Sequence, residues 1–288
     1  MATTRRRVDA RRRASFDVIC AGEPLWRTVS IRSDGLVPHA ARAGILDVAR
    51  TLARAEFRVG LATVLDDDRA GRTLRTELAA LGIDVGGVRL AAPAAGLVVV
   101  DAAGGQLGVV SERSAARDFE IPQGWSSQVL LLSGLSPVTS KAAALCKAAR
   151  KARRDGTIVV LDVAGSLRQW AGRDPRMITM VIREADVVRC SLMELAMLGT
   201  DSATVRRAMR PDASLVVSDD AETTATGPFG EVRVKGPSSA RECAGEQCTA
   251  AICSELARPH RGTESHHGRW HRILRESVRR TPSTMTAR

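Results

Sequence analysis

The chain has 288 residues, 44% apolar and 26% charged, a balance that supports a sizeable buried core and excludes a disordered or fibrous protein. Its longest nearly unbroken apolar run, residues 91–100, is about half the roughly 20 residues needed to cross a bilayer, so no membrane span is expected. The formal charge is +11, but residues 1–15 carry +5 and residues 258–288 carry +6, which leaves the body between them neutral.

A basic face for nucleic acid is therefore not expected, and the ends, 1–15 and 258–288, read as solvated, disordered basic arms. Within the second arm, Trp270, Ile273 and Leu274 have the spacing of a short amphipathic helix that would dock on the body or on a partner. The apolar stretch after the N-terminal arginines is too short for a secretory signal. The six cysteines lack the paired spacings of metal or redox sites, and together these features point to the cytoplasm.

Between the arms, strand and helix patterns alternate, as expected of a largely parallel sheet flanked by helices. A first strand spans 16–21 and ends at Gly22. Ile45, Val48, Ala49 and Leu52 share one face of a helix over 45–54, followed by a buried strand over 59–65. Leu74, Leu78 and Leu81 define a helix over 70–81, with Gly82 as its C-terminal cap. Residues 96–100 and 106–111 flank a five-residue loop and read as a hairpin, which with 25–31 would form a small accessory sheet. The alternation resumes with strand 129–132, helix 139–154, strand 157–163, helix 175–184, strands 186–190 and 214–218, a hairpin around Gly227 and Gly230, and a last helix over 246–257.

In open sheets of this kind ligands gather beyond the carboxyl ends of the strands. Cys243, Ala244, Gly245 and Glu246 form a small-residue turn opening an apolar helix there. Backbone N–H groups and the positive end of the helix dipole suit an anion such as phosphate, and a carboxylate in the first turn suits proton abstraction from a hydroxyl. The same glutamate is equally suited to stabilising the helix dipole.

Five segments in order resemble the PfkB/ribokinase family of sugar and nucleoside kinases over nearly all of residues 16–257. They are Asp17 to Glu23, Gly44 to Ala49, Leu65 to Gly71 with Leu81 to Asp84, Ala185 to Glu194, and Ala244 to Glu246. The resemblance implies an α/β, ribokinase-like three-layer sandwich with a mostly parallel central sheet and a small β-lid from about 24–31 and 95–111. It implies transfer of the γ-phosphoryl of ATP to a sugar or nucleoside hydroxyl, with Mg2+ as the second cofactor. Glu246 would be the catalytic base, Cys243, Ala244 and Gly245 the anion hole, and Arg27, Gly44 and Asp47 the substrate grip. Ser218 and Asp220 would meet the nucleotide, and Glu194 would organise magnesium indirectly. A homodimer through the exposed lid is also expected.

Departures from the family pattern cluster at these positions. The base is Glu246 where the family has Asp, and the first anion-hole glycine is Cys243. Arg27 stands for an Asp and Asp47 for an Asn, and Ala43 replaces a glycine. Ala164 and Ser166 replace the Asn and Arg that follow Asp162, and Ser218-Asp219-Asp220 replaces Thr-x-Gly. Weakened activity follows, and the alternative is a catalytically inactive pseudokinase that binds a ligand or partner.

Overall fold

Alternation within single strands sets the layers. In Phe16–Gly22, Val18 and Cys20 belong to one buried cluster and Ile19 and Ala21 to another, on the opposite face. A strand that is apolar on both faces needs cover on both, which is how buried parallel strands read. The computed structural model describes residues 14–24, 27–32, 35–38, 44–92, 97–100, 106–110, 119–134, 142–164, 176–219, 222–235, 244–258 and 265–279.

The strands are β1 (Phe16–Gly22), β2 (Arg27–Arg32), β3 (Gly35–Pro38), β4 (Val59–Asp66), β5 (Asp84–Ala91), β6 (Leu97–Val100), β7 (Gln106–Val110), β8 (Ser127–Ser133), β9 (Ile158–Asp162), β10 (Val187–Ser191), β11 (Ser214–Ser218), β12 (Glu222–Gly227) and β13 (Gly230–Lys235). The helices are α1 (Ile45–Arg54), α2 (Arg69–Ala80), α3 (Ala142–Arg154), α4 (Arg176–Ile182), α5 (Leu192–Met197), α6 (Ser202–Ala208), α7 (Ala244–Ala257) and α8 (His266–Arg279).

The main sheet has nine strands in the order β13-β12-β11-β10-β9-β8-β1-β4-β5. β11 through β5 run parallel, and β12 and β13 add an antiparallel hairpin at one edge. Buried residues of α1, α2, α7 and α8 pack with Val18, Val129 and Val160 on one face. Those of α3 to α6 pack with Ile19, Leu130 and Leu161 on the other. The result is a three-layer α/β arrangement. A second sheet, β3-β2-β6-β7, pairs β2 with β6 in parallel and β6 with β7 as the expected hairpin.

Several elements were not anticipated. β5 contains Gly86, Gly87 and Arg89 and lies at the sheet edge, so its sequence lacks an apolar run. β3, α5 and α6, at four, six and seven residues, are too short to show a period. The basic C-terminal stretch is not wholly a solvated arm: His266–Arg279 is helical, with Trp270, Ile273 and Leu274 buried. The docking surface is the body, where Trp270 stacks on Phe229 at 5.4 Å. Residues 1–13, the hairpin loop 101–105 and the start of the 139–154 helix lie outside the described residues. Among the described residues no helix is long and apolar enough to cross a membrane.

Candidate active site

The period of two that builds the sheet also builds the site. Val160, Val187 and Val216 share the core that packs against α7. Two residues further along each strand, on the same face, stand Asp162, Arg189 and Ser218. All three are buried, at 2%, 5% and 7% exposure, near the carboxyl ends of β9, β10 and β11. Arg189 Nη1 donates to Asp162 Oδ1 at 3.2 Å and Nη2 donates to Ser218 Oγ at 2.9 Å. Glu194 Oε2 lies 3.6 Å from Nη1. Thr249 of α7 donates from Oγ1 to Asp162 Oδ2 at 2.9 Å, tying the helix to the strand end.

Helix α7 meets this cluster at its first residues. It begins at Ala244, two residues earlier than expected, so Ala244 and Gly245 belong to its first turn. The first N–H groups of a helix have no partner within it and point outward from its start. A Cβ on Gly245 would lie 2.9 Å from Arg189 Nη2 and 3.0 Å from Nη1, so only glycine lets the guanidinium press against the backbone here. Cys243 lies outside the described residues.

Burial raises the Glu246 carboxyl above its usual range; Asp162 and Asp47 add to the rise, and the residue's own backbone N–H and Arg189 oppose it. Burial likewise pushes Glu194 up to about 6, against the pull of Arg189. For Arg189, burial opposes the charge, but Asp162 and Glu194 outweigh it and hold the guanidinium protonated. One cation thus serves several carboxylates in a site of low polarity, where such couplings are strong.

The expected residues converge in part. Glu246, Gly245, Ser218 and Glu194 interact with one shared centre, Arg189 and Asp162, and Asp47 reaches it only through its repulsion of Glu246. Asp47 sits in the first turn of α1 and accepts from Arg50 at 2.9 Å. Gly44 is the N-cap of α1 at φ 43, a left-handed value that favours glycine. Glu194 also closes a capping box: Ser191 N donates to its Oε2 at 2.6 Å, and its own N–H donates to Ser191 Oγ at 3.2 Å. Arg27 opens β2 of the second sheet. Asp220, Ala43 and Ser166 lie outside the described residues.

Arg189 and Thr249 were missed as site residues; the available signal for Arg189 was a charged residue inside an otherwise apolar strand. A cavity of about 760 Å³ between β5 and residues 120–123 contains none of the expected site residues. Among the described residues, no group of three or more His, Cys, Asp and Glu is placed to hold a metal.

This fold recurs in solved kinases. Aminoimidazole riboside kinase from Salmonella enterica superposes with a TM-score of 0.74 at 19% identity, covering 91% of this chain and 90% of that one. Fructokinase from Xylella fastidiosa gives 0.73 at 17%, covering 91% and 90%. A PfkB protein from Polaromonas sp. JS666 gives 0.70 at 23%, covering 92% and 95%. Comparison with curated protein sequences finds no match. The family model described as pfkB family carbohydrate kinase matches residues 46–222, well over half of the sequence, and the chain belongs to that family.

Proposed function

We propose that the chain transfers the γ-phosphoryl of ATP to a hydroxyl of a sugar or nucleoside, at a rate lowered by the changes around its site. The observation that carries this reading is the meeting of the α7 N-terminus with a buried Arg189–Asp162 pair and the Glu246 carboxylate at the strand ends. The X. fastidiosa fructokinase is a structure with bound ATP, and the S. enterica kinase is complexed with aminoimidazole riboside and an ATP analog. Both support the donor and the acceptor class.

The residues fit a phosphate chain, since first-turn amides and a buried guanidinium whose Nε has no acceptor among the described residues supply donors and positive charge. When bound, ATP supplies the phosphoryl group and Mg2+ neutralises part of its charge, with Glu194 holding the ion indirectly. Glu246 takes the acceptor hydroxyl proton as that oxygen bonds to the γ-phosphorus, the bond from that phosphorus to the β–γ bridging oxygen breaks and ADP leaves. The N–H groups of Ala244 and Gly245 stabilise the charge on the moving phosphoryl. Arg27, Gly44 and Asp47 hold the acceptor, and Ser218 and Asp220 border the nucleotide. The cytoplasm is the expected compartment, and the two edges of the second sheet, β3 and β7, support pairing with a second copy.

A thermal-shift screen with ATP, ADP, Mg2+ and a panel of sugars and nucleosides, followed by an ADP-release assay on the hits, tests the reading. Nucleotide should raise the melting temperature, and one acceptor class should release ADP. Pairing Glu246→Asp with Cys243→Gly should increase that rate. A melt indifferent to every nucleotide and acceptor would remove the proposal. Engagement of Asp162 by Arg189 and Thr249 favours a second reading, a pseudokinase, which predicts ligand binding with no turnover and no rescue.

A further inference from the structure

Arg189 is the best-buried cation of the site, and its bonding is incomplete. A guanidinium carries five N–H donors in a planar fork. Here the described hydrogen bonds go from Nη1 to Asp162 and from Nη2 to Ser218, while Nε has no acceptor among the described residues. A buried donor without an acceptor is costly, and an incoming oxygen would relieve that cost. The fork also lies against Gly245, in the first turn of α7, so a cation sits where the helix end is itself positive. That placement is electrostatically unfavourable for the empty protein except through Asp162 and Glu194, and it is favourable once an anion occupies the same spot.

We infer that Arg189 contacts the phosphoryl group at the start of α7, supplementing the backbone amides with a charged, forked donor. This rests on the reading of α7 as a phosphate site and adds to it a residue that the backbone argument does not need. The shared chemistry is a phosphoryl oxygen. The hydrogen bond to Ser218, on the strand leading to the expected nucleotide loop, assigns it to the phosphate chain of a nucleotide over a phosphorylated acceptor. Lysine is no substitute, because a compact ammonium cannot span Asp162 and Ser218 and still present a second edge to phosphate.

The test measures binding by calorimetry of tripolyphosphate, ADP, ribose 5-phosphate and adenosine to the wild-type protein and to Arg189→Lys. A second variant, Arg189→Met with Asp162→Asn, removes one charge of each sign and guards against misfolding from an unpaired buried carboxylate. Expected is a tenfold or greater loss of tripolyphosphate and ADP affinity in a variant that melts cooperatively, with adenosine affinity unchanged, a selectivity that a purely structural role would not produce. Equal affinity of wild type and both variants for tripolyphosphate overturns the inference, as does a loss confined to ribose 5-phosphate or one that extends equally to adenosine. If the wild type releases ADP and the variants keep its KM for ATP, only the role of Arg189 falls. If the wild type never releases ADP but loses tripolyphosphate binding on substitution, the phosphate contact stands and phosphotransfer falls.

Discussion

Glu246 couples the chemistry of the site to its surroundings. Burial and the nearby carboxylates Asp162 and Asp47 hold its proton more tightly than usual, so the base form is lost at a higher pH than for an exposed glutamate. As pH falls through this raised value, kcat/KM should fall with it. The acid limb of its pH profile should therefore lie above the ordinary carboxylate range. Glu246→Gln should lower kcat by about 10²–10⁴-fold. It should leave the melting temperature at neutral pH unchanged or higher, because a raised folded-state pKa means the charged form is disfavoured by folding. A parallel fall in kcat and stability would mean that the glutamate serves the helix instead. Gly245→Ala is the complementary change. Its methyl group would meet both Nη atoms of Arg189, so it should weaken nucleotide binding and lower stability, read as KM for ATP and as the urea midpoint.

Helix α8 takes the docking role expected of Trp270, Ile273 and Leu274, within a stretch otherwise expected to be a solvated basic arm. The composition of 258–288 is basic, yet Trp270, Ile273 and Leu274 are at most 6% exposed, and they pack with β13 and α7. The dock is reinforced by Glu255 of α7, which is 2% exposed and pairs with Arg258 and with Arg272 of α8. Arg269 Nη2 also donates to the Glu255 carbonyl at 2.8 Å. Since α7 also carries the site, α8 braces its far end. Trp270→Ala should cost about 3–5 kcal/mol in a urea titration, the usual range for losing a buried large aromatic. The ion pair is asymmetric: Arg258 and Arg272 are partly exposed, while Glu255 is not. Arg272→Met, which leaves a buried carboxylate with one partner fewer, should therefore destabilise more than Glu255→Gln. The reverse order would place the value of the contact in the arginine's aliphatic stem.

Charge on the whole molecule is distributed end to end. Deleting residues 1–13 removes six arginines and one aspartate and lowers the net charge from +11 to +6. Any weak affinity for nucleic acid should weaken on that deletion and decline steeply with salt, as a phosphate-neutralising contact must. An affinity that survives both changes would mean a binding surface beyond the N-terminal arm, on the neutral body or on the basic stretch 258–288. The three-layer arrangement was legible from alternation because parallel strands buried on both faces leave a strong apolar signature. Gly82, at φ 80 after α2, matches the cap expected from its position. β5 was not legible, since an edge strand with two glycines buries too little to show a pattern.

By itself the sequence determined most of the succession of strands and helices and the small residues that open α7, which follow from local periodicity and backbone preference, and it carried the five family-like segments in order. Tertiary structure alone decided that Asp162, Arg189, Ser218 and Gly245 form one cluster. They are separated by 27, 29 and 27 residues, and only the register of three parallel strands, with α7 laid across them, brings their side chains to the same place. It also decided that the basic tail folds back, because whether an amphipathic face stays in water depends on an apolar surface elsewhere in the chain, here around Phe229, to receive it.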